Sequence, residues 1–271
     1  MLSIKLPGAI FFSILLLLIT APAISFNSIK NDGVSNLLID SSSAPKTPLN
    51  KQATQFVSKY IKQNNEGLEA IKQKRSASFE LIEEIFSKYE LPVELKYLAV
   101  VESELNPKAV SRVGAAGPWQ FMPGTAKVLG LKITRKYDER KNLKKSTKAA
   151  ALYLRDLYTQ YGDWLLVLAA YNCGPGPVNG AIRKTGSRNF WKLQYHLPAE
   201  SRDHVKKYIA THYYFEGKGG ITTLTKAENI KYAQALSLWV SAQIKALAEP
   251  IVMQEINVAT DSASRKVVAL K

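Results

Sequence analysis

The chain has 271 residues and a formal net charge of +15, with 37 Lys and Arg against 22 Asp and Glu. Apolar residues make up 46% of it, which is ordinary for a globular protein of one or two domains. The single cysteine, Cys173, excludes an internal disulfide bond. Basic proteins adhere to polyanions, so nucleic acid, anionic polymers and membrane surfaces all suit the charge.

Residues 1–25 have the layout of a secretory signal peptide. Lys5 is their only charged residue, an apolar run follows over residues 9–19, and Ala23–Ser25 form a candidate cleavage site. We therefore expect export to the periplasm or cell envelope, a compartment that disfavours nucleic acid as a partner. An uncleaved N-terminal membrane anchor is the alternative, although the run is short for a membrane span. No cysteine follows the run, which excludes a lipid-modified N-terminus.

The chain after the signal is predicted to be almost entirely helical. Residues 26–50, rich in Ser, Pro and Asn, are expected to form a disordered lead-in. Apolar residues at helical spacing predict helices over 51–90. A further helix is predicted from Pro92 to Leu105, where Asn106-Pro107 should end it, because the residue before proline resists helical geometry.

Further helices are predicted in the second half of the chain. The helix at 164–172 should be capped by Asp163. The runs at 252–258 and 267–270 are ambiguous between strand and helix. The helices expected from apolar spacing lie near 123–130, 146–161, 164–172, 176–184, 200–215 and 226–248.

The fold class is therefore predicted to be mainly α. Helices over 51–90 should pack on a main domain at 91–216. The glycines between Gly217 and Gly220 are the best candidate for a boundary, with 217–271 forming a C-terminal helical extension.

Glu102 is the first candidate for chemistry. On the predicted helix it shares a stripe with Leu98, Val101 and Leu105, whereas Glu104 points elsewhere. A carboxyl held against apolar groups has its charged form disfavoured, so we expect a raised pKa and a general acid active near neutral pH. The alternative is a structural pair between Glu102 and a buried Arg or Lys.

The segment from Ser111 to Pro123 is the second candidate. Gly114 and Gly117 permit unusual backbone angles and the close approach of a ligand. Gln120 is a neutral donor and acceptor that suits the hydroxyl and acetamide groups of sugars. Trp119 offers a flat apolar face, although it is equally suited to the core.

Two further segments carry polar side chains. Tyr171 and Asn172 close a very apolar helix, where they either satisfy its last carbonyls or face a cleft. Glu200 stands at the start of the next long helix, where it suits a capping role. The three histidines (His196, His204 and His212) lack the partners of a zinc site, so neither a metal nor a cofactor is expected.

In order and spacing, these four segments resemble the motifs of the lytic transglycosylases that have a soluble-transglycosylase (SLT) catalytic domain. The nearest subgroup is that of membrane-bound lytic transglycosylase D, and the resemblance covers about residues 51–216. It implies a mostly α, lysozyme-like fold related to goose-type lysozyme, with the catalytic domain at 91–216. It also implies cleavage of the β-1,4 bond between N-acetylmuramic acid and N-acetylglucosamine in peptidoglycan glycan strands.

The resemblance assigns Glu102 as the sole acid/base of a reaction that forms 1,6-anhydro-N-acetylmuramic acid without a metal or cofactor. The family often has Tyr where this chain has His204. Two alternatives stay open: a hydrolytic goose-type muramidase and a non-catalytic peptidoglycan-binding envelope protein. The substrate-binding residues that the resemblance implies are Ser111, Gln120, Met122, Tyr171, Asn172 and Glu200.

Overall fold

The structure is a computed structural model that describes residues 43–246, and over this range the chain is mainly α, as predicted. Helices α1 to α5 are Lys51–Lys74, Ser76–Lys88, Lys96–Ser103, Pro123–Val128 and Leu143–Tyr161. Helices α6 to α9 are Trp164–Cys173, Pro175–Thr185, Phe190–Leu193 and Ala199–Glu216, and residues 226–246 are helical as α10. None of the helices described has the length and apolar character to cross a membrane.

Several predictions fall outside the described residues. These are the signal peptide at 1–25, most of the lead-in at 26–50, the ambiguous runs at 252–258 and 267–270, and the end of the C-terminal extension.

The helix ends follow from capping side chains and glycines. Asp163 Oδ1 accepts from the backbone N–H groups of Leu165 and Leu166 at 3.0 and 3.2 Å, which confirms it as the cap of α6. Asn142 caps α5 in the same way, so this helix begins at Leu143 rather than at the predicted 146. The four-residue helix α8 was not predicted, because its span is too short to show a period.

Helix α6 forms the centre of the core. Every residue from Trp164 to Ala170 is at most 5% exposed, so the helix has no polar face. It packs against α5, α7 and α9, while α1 and α3 pack on α9 and α2 packs on α5. The end of α3 and the start of α9 are thereby held on either side of one cleft.

Helix α3 ends earlier than predicted. It stops at Ser103, and both Glu104 and Leu105 have left-handed φ values, 56° and 59°. Leu105 is therefore not on the helical stripe, although it is 2% exposed and its N–H donates to the Ala99 carbonyl at 3.1 Å. Burial of the Leu105 side chain offsets a backbone cost of about 1–2 kcal/mol for each left-handed residue.

The two flanks contact the helical core. Asn50 caps α1 and donates from Nδ2 to Glu228 Oε1 at 2.9 Å, while disorder of the lead-in stays a prediction. Beyond Gly217–Gly220, the Lys226 N–H donates to Asp163 Oδ2 at 2.7 Å. The chain after the proposed boundary is thus tied to the cap of α6, and the domain limits stay predictions.

His212 on α9 is a buried histidine whose neutral form is favoured by its surroundings. It is 1% exposed, and its Nδ1 lies 3.1 Å from the Lys218 carbonyl, which makes Nδ1 the protonated nitrogen. Its Nε2 is buried without a partner. Burial lowers the pKa of His212 from 6.5 to about 4.

We predict that this histidine weakens the fold in acid. The unfolded chain binds the proton from about pH 6.5 downward and the folded chain only near pH 4, so stability is lost as the pH falls through this window. The loss is roughly 3 kcal/mol of unfolding free energy, measurable by urea denaturation at pH 7.5, 5.5 and 4. His212→Asn should flatten this pH dependence, while substitution of the exposed His196 by Asn should leave it unchanged. Equal slopes in the wild type and His212→Asn would contradict the prediction.

Candidate active site

The predicted site residues meet in one cleft of about 380 Å³. Its walls come from the end of α3, the loop before α4, helix α5, the end of α6 and the start of α9. The predicted residues that line it are Glu102, Ser111, Gln120, Met122, Tyr171, Asn172 and Glu200. A volume of this size is typical of sites for small molecules or short segments of a polymer.

Glu102 is anchored at one oxygen and open at the other. Its side chain is 13% exposed, and Oε1 lies 2.9 Å from Nε2 of His204, whose side chain is 8% exposed. Among the described residues, no hydrogen bond reaches Oε2. The partner is therefore an imidazole rather than the Arg or Lys considered from sequence, and the carboxyl faces the cleft.

The histidines lie apart from one another. His196 is exposed at the end of the 3-10 helix Gln194–His196, His204 lines the cleft and His212 contacts the backbone carbonyl of Lys218. Within residues 43–246 there is no group of three or more His, Cys, Asp or Glu that could hold a metal ion.

Hydrogen bonds connect the three segments around Glu102. Ser103 Oγ donates to the Pro118 carbonyl at 2.9 Å, which joins α3 to the glycine-rich loop. The Tyr171 hydroxyl donates to the Trp119 carbonyl at 2.7 Å, which joins that loop to α6. Trp119 itself is fully buried and donates from its indole to Thr147 Oγ1 at 3.0 Å, so it is a core residue and offers no face to a ligand.

Three of the predicted binding residues have one polar group engaged by the protein. Gln120 donates from Nε2 to the Gly117 carbonyl at 2.8 Å, which leaves its Oε1 as an acceptor. Ser111 Oγ accepts from the Ala115 N–H at 3.0 Å, which leaves its hydroxyl proton as a donor. Asn172 Oδ1 accepts from Ser201 Oγ at 2.6 Å, which leaves its amide N–H₂ as a donor. The remaining groups can bind hydroxyl and acetamide groups.

Tyr171 stays protonated in this site. Burial, followed by the negative charge of Glu102, raises the pKa of Tyr171 well above its ordinary value. Its proton is held by the Trp119 carbonyl, so towards the cleft the phenol oxygen can only accept a hydrogen bond.

Arg140 supports the glycine-rich loop and was missed in the sequence. Its Nη1 donates to the carbonyls of Gly114 and Phe121 at 2.7 and 2.9 Å. Asp138 pairs with the same guanidinium at 2.8 Å, and this contact lowers the pKa of Asp138. Because Arg140 is 7% exposed, it is a structural clamp behind the loop.

Gly117 makes its close approach to this clamp. Its φ is 78°, and a Cβ at this position would overlap the carbonyl oxygen of Arg140. The unusual backbone angle was predicted, but the group that approaches is Arg140, where a ligand was expected.

Other side chains in the cleft were not singled out from sequence. They include Tyr153 on α5 and Thr125 on α4, for which the sequence gives no local signal. For Lys207 the sequence does give a signal. It follows Glu200 by seven residues and His204 by three, a helical spacing that places all three on one face of α9.

Residues 80–194 match the protein-family model described as the transglycosylase SLT domain. The chain is 43% identical over 128 residues to membrane-bound lytic murein transglycosylase D of Escherichia coli strain K12, covering 45% of this chain and 28% of that protein. It is 41% identical over 85 residues to a transglycosylase of enterobacteria phage PRD1, covering 31% and 30%.

Among solved structures, the 70 kDa soluble lytic transglycosylase of Escherichia coli has 30% identity and a TM-score of 0.45, covering 55% of this chain and 25% of that one. The chain thus spans less than a third of the length of each of these relatives.

We predict that Gly117→Ala disrupts the loop while Gly114→Ala is tolerated better. Both glycines have positive φ, 78° and 88°, but a Cβ on Gly114 meets nothing within 4 Å. Gly114→Ala should therefore cost only the backbone strain of about 1 kcal/mol, and Gly117→Ala that strain plus a backbone overlap, at least about 3 kcal/mol in total. Urea denaturation measures both, and equal losses would contradict the clamp.

Proposed function

We propose that this chain, whose residues 80–194 match the family model of the transglycosylase SLT domain, is a peptidoglycan lytic transglycosylase with Glu102 as its sole acid/base. One observation carries the proposal. The Glu102 carboxyl opens into a cleft beside Gln120, Tyr171 and Asn172, each of which has a polar group left for a sugar. The murein transglycosylases to which the chain is similar support the choice of substrate.

In the first step, protonated Glu102 gives its proton to the oxygen that bridges N-acetylmuramic acid and N-acetylglucosamine. The bond from this oxygen to C1 of the N-acetylmuramic acid breaks, and the N-acetylglucosamine side leaves with the proton. The 2-acetamido group of the substrate stabilises the positive charge at C1. The Asn172 amide N–H₂, oriented by Ser201, suits the acetamide carbonyl.

In the second step, the Glu102 carboxylate accepts the proton of the C6 hydroxyl of the same sugar. O6 then bonds to C1 and closes the 1,6-anhydro ring, so that Glu102 is protonated again and no water is consumed. Because the attacking group belongs to the substrate, proximity supplies what an activated water supplies in a hydrolase.

Hydrolysis is the second candidate function, and the observation that favours it is a second carboxyl group in the cleft, that of Glu200. Glu200 is an exposed carboxylate that lines the same cleft as Glu102. Glycosidases that use two carboxylates employ the second as a base or nucleophile. A goose-type muramidase mechanism would need Glu200, or another group, to position a water at C1.

We also propose a location in the cell envelope. The relatives are named as membrane-bound and soluble murein transglycosylases. The net charge of +15 favours adhesion to anionic envelope polymers or membrane surfaces, and to the carboxylates of peptidoglycan peptides.

Mass analysis of purified peptidoglycan digested by the protein tests the chemistry directly. We predict 1,6-anhydro ends, one water lighter than reducing ends. Glu102→Gln should lower turnover about 10³-fold or more, because an amide cannot transfer the proton. Glycan binding should stay measurable, because the amide keeps the size of the side chain. Reducing ends alone would select the hydrolase, and full activity of Glu102→Gln would remove Glu102 from the mechanism.

Glu200→Gln provides the matched control for the number of carboxylates. If Glu200 only contacts substrate, we expect the variant to raise KM several-fold and to lower kcat by less than about tenfold. A kcat loss as large as that of Glu102→Gln would indicate a second catalytic carboxylate.

A further inference from the structure

We infer that His204 is a positioning residue that holds Glu102 through a neutral Nε2–H and so selects which oxygen of the carboxyl carries the proton. The inference rests on the proposed role of Glu102. It starts from the 2.9 Å contact between His204 Nε2 and Glu102 Oε1, which joins the start of α9 to the end of α3.

The other ring nitrogen bears on which tautomer of His204 is favoured. Nδ1 is buried and has no hydrogen-bond partner. A bare Nδ1 leaves one weak acceptor unsatisfied, whereas a proton there would bury an unpaired N–H donor. The favoured form therefore carries its single ring proton on Nε2, where Glu102 accepts it.

This tautomer divides the roles of the two Glu102 oxygens. Oε1 accepts the Nε2–H whether the carboxyl is charged or neutral, so a proton on Oε1 would clash with that of the imidazole. The proton of neutral Glu102 is thereby placed on Oε2, which forms no hydrogen bond with the described residues. The contact also restricts rotation of the carboxyl, so the proton is presented in one direction.

The surroundings agree with a fixed donor. His204 is 6% exposed and stands on the inner face of α9, with the buried Val205 beside it. A tyrosine at this position would also carry a single donor, its O–H. A histidine with its ring proton on Nε2 and a tyrosine each supply one donor, whereas phenylalanine supplies none.

Kinetics of three variants test the positioning role. His204→Phe keeps a ring without a donor, and we expect kcat to fall about 10- to 100-fold with KM within about threefold of the wild type. His204→Gln and His204→Tyr restore a donor and should keep kcat within about tenfold of the wild type. Wild-type kcat in His204→Phe, with its fold verified by circular dichroism, would overturn the inference and leave the proposed function intact.

Nitrogen-15 NMR of the imidazole in the wild-type protein gives a readout that does not depend on activity. We expect a protonated Nε2 and a bare Nδ1 at pH 7, with the Nε2 resonance shifted in Glu102→Gln relative to the wild type. A protonated Nδ1 would overturn the inference even if His204→Phe failed to fold. Absence of 1,6-anhydro product with the expected resonances would reject the proposed function alone.

Discussion

The abrupt end of α3 is the constraint on which the site depends. The helix is buried along Tyr97–Val100, so its rotation about its own axis is fixed by packing. A left-handed turn at Glu104–Leu105 then stops it directly after the catalytic candidate, and Leu105 is buried as the anchor of that turn. Three of the four non-glycine residues with positive φ in the described chain are these two, which follow Glu102 closely in the chain, and Gln120, which lines the cleft. Strained backbone is characteristic of functional sites.

The cleft is preorganised because its polar side chains are held by the protein itself. Each of Ser111, Gln120 and Asn172 uses one group to bind backbone or a neighbouring side chain and leaves another for a ligand. Arg140 fixes the carbonyls of the loop from the opposite side. Groups arranged in this way need little reorganisation when a substrate binds or reacts.

Helix α9 carries two buried histidines whose surroundings differ. At its start, His204 has its polar contact with a carboxyl that lines the cleft. Further along, His212 has its contact with a backbone carbonyl inside the fold. Both leave one ring nitrogen without a partner. The first therefore bears on the chemistry that we propose, and the second on the stability of the fold in acid.

The sequence by itself determined the helical class, the cap at Asp163 and seven of the residues that line the cleft, because periodicity, capping and motif spacing are properties of neighbouring residues. Only the tertiary structure decided that α3 ends before Leu105, that Trp119 belongs to the core and that Arg140 clamps the loop. It also decided that His204 is the partner of Glu102. These two residues stand 102 positions apart, and which side chains meet over such a distance is set by how the helices pack around α6, which no local pattern records.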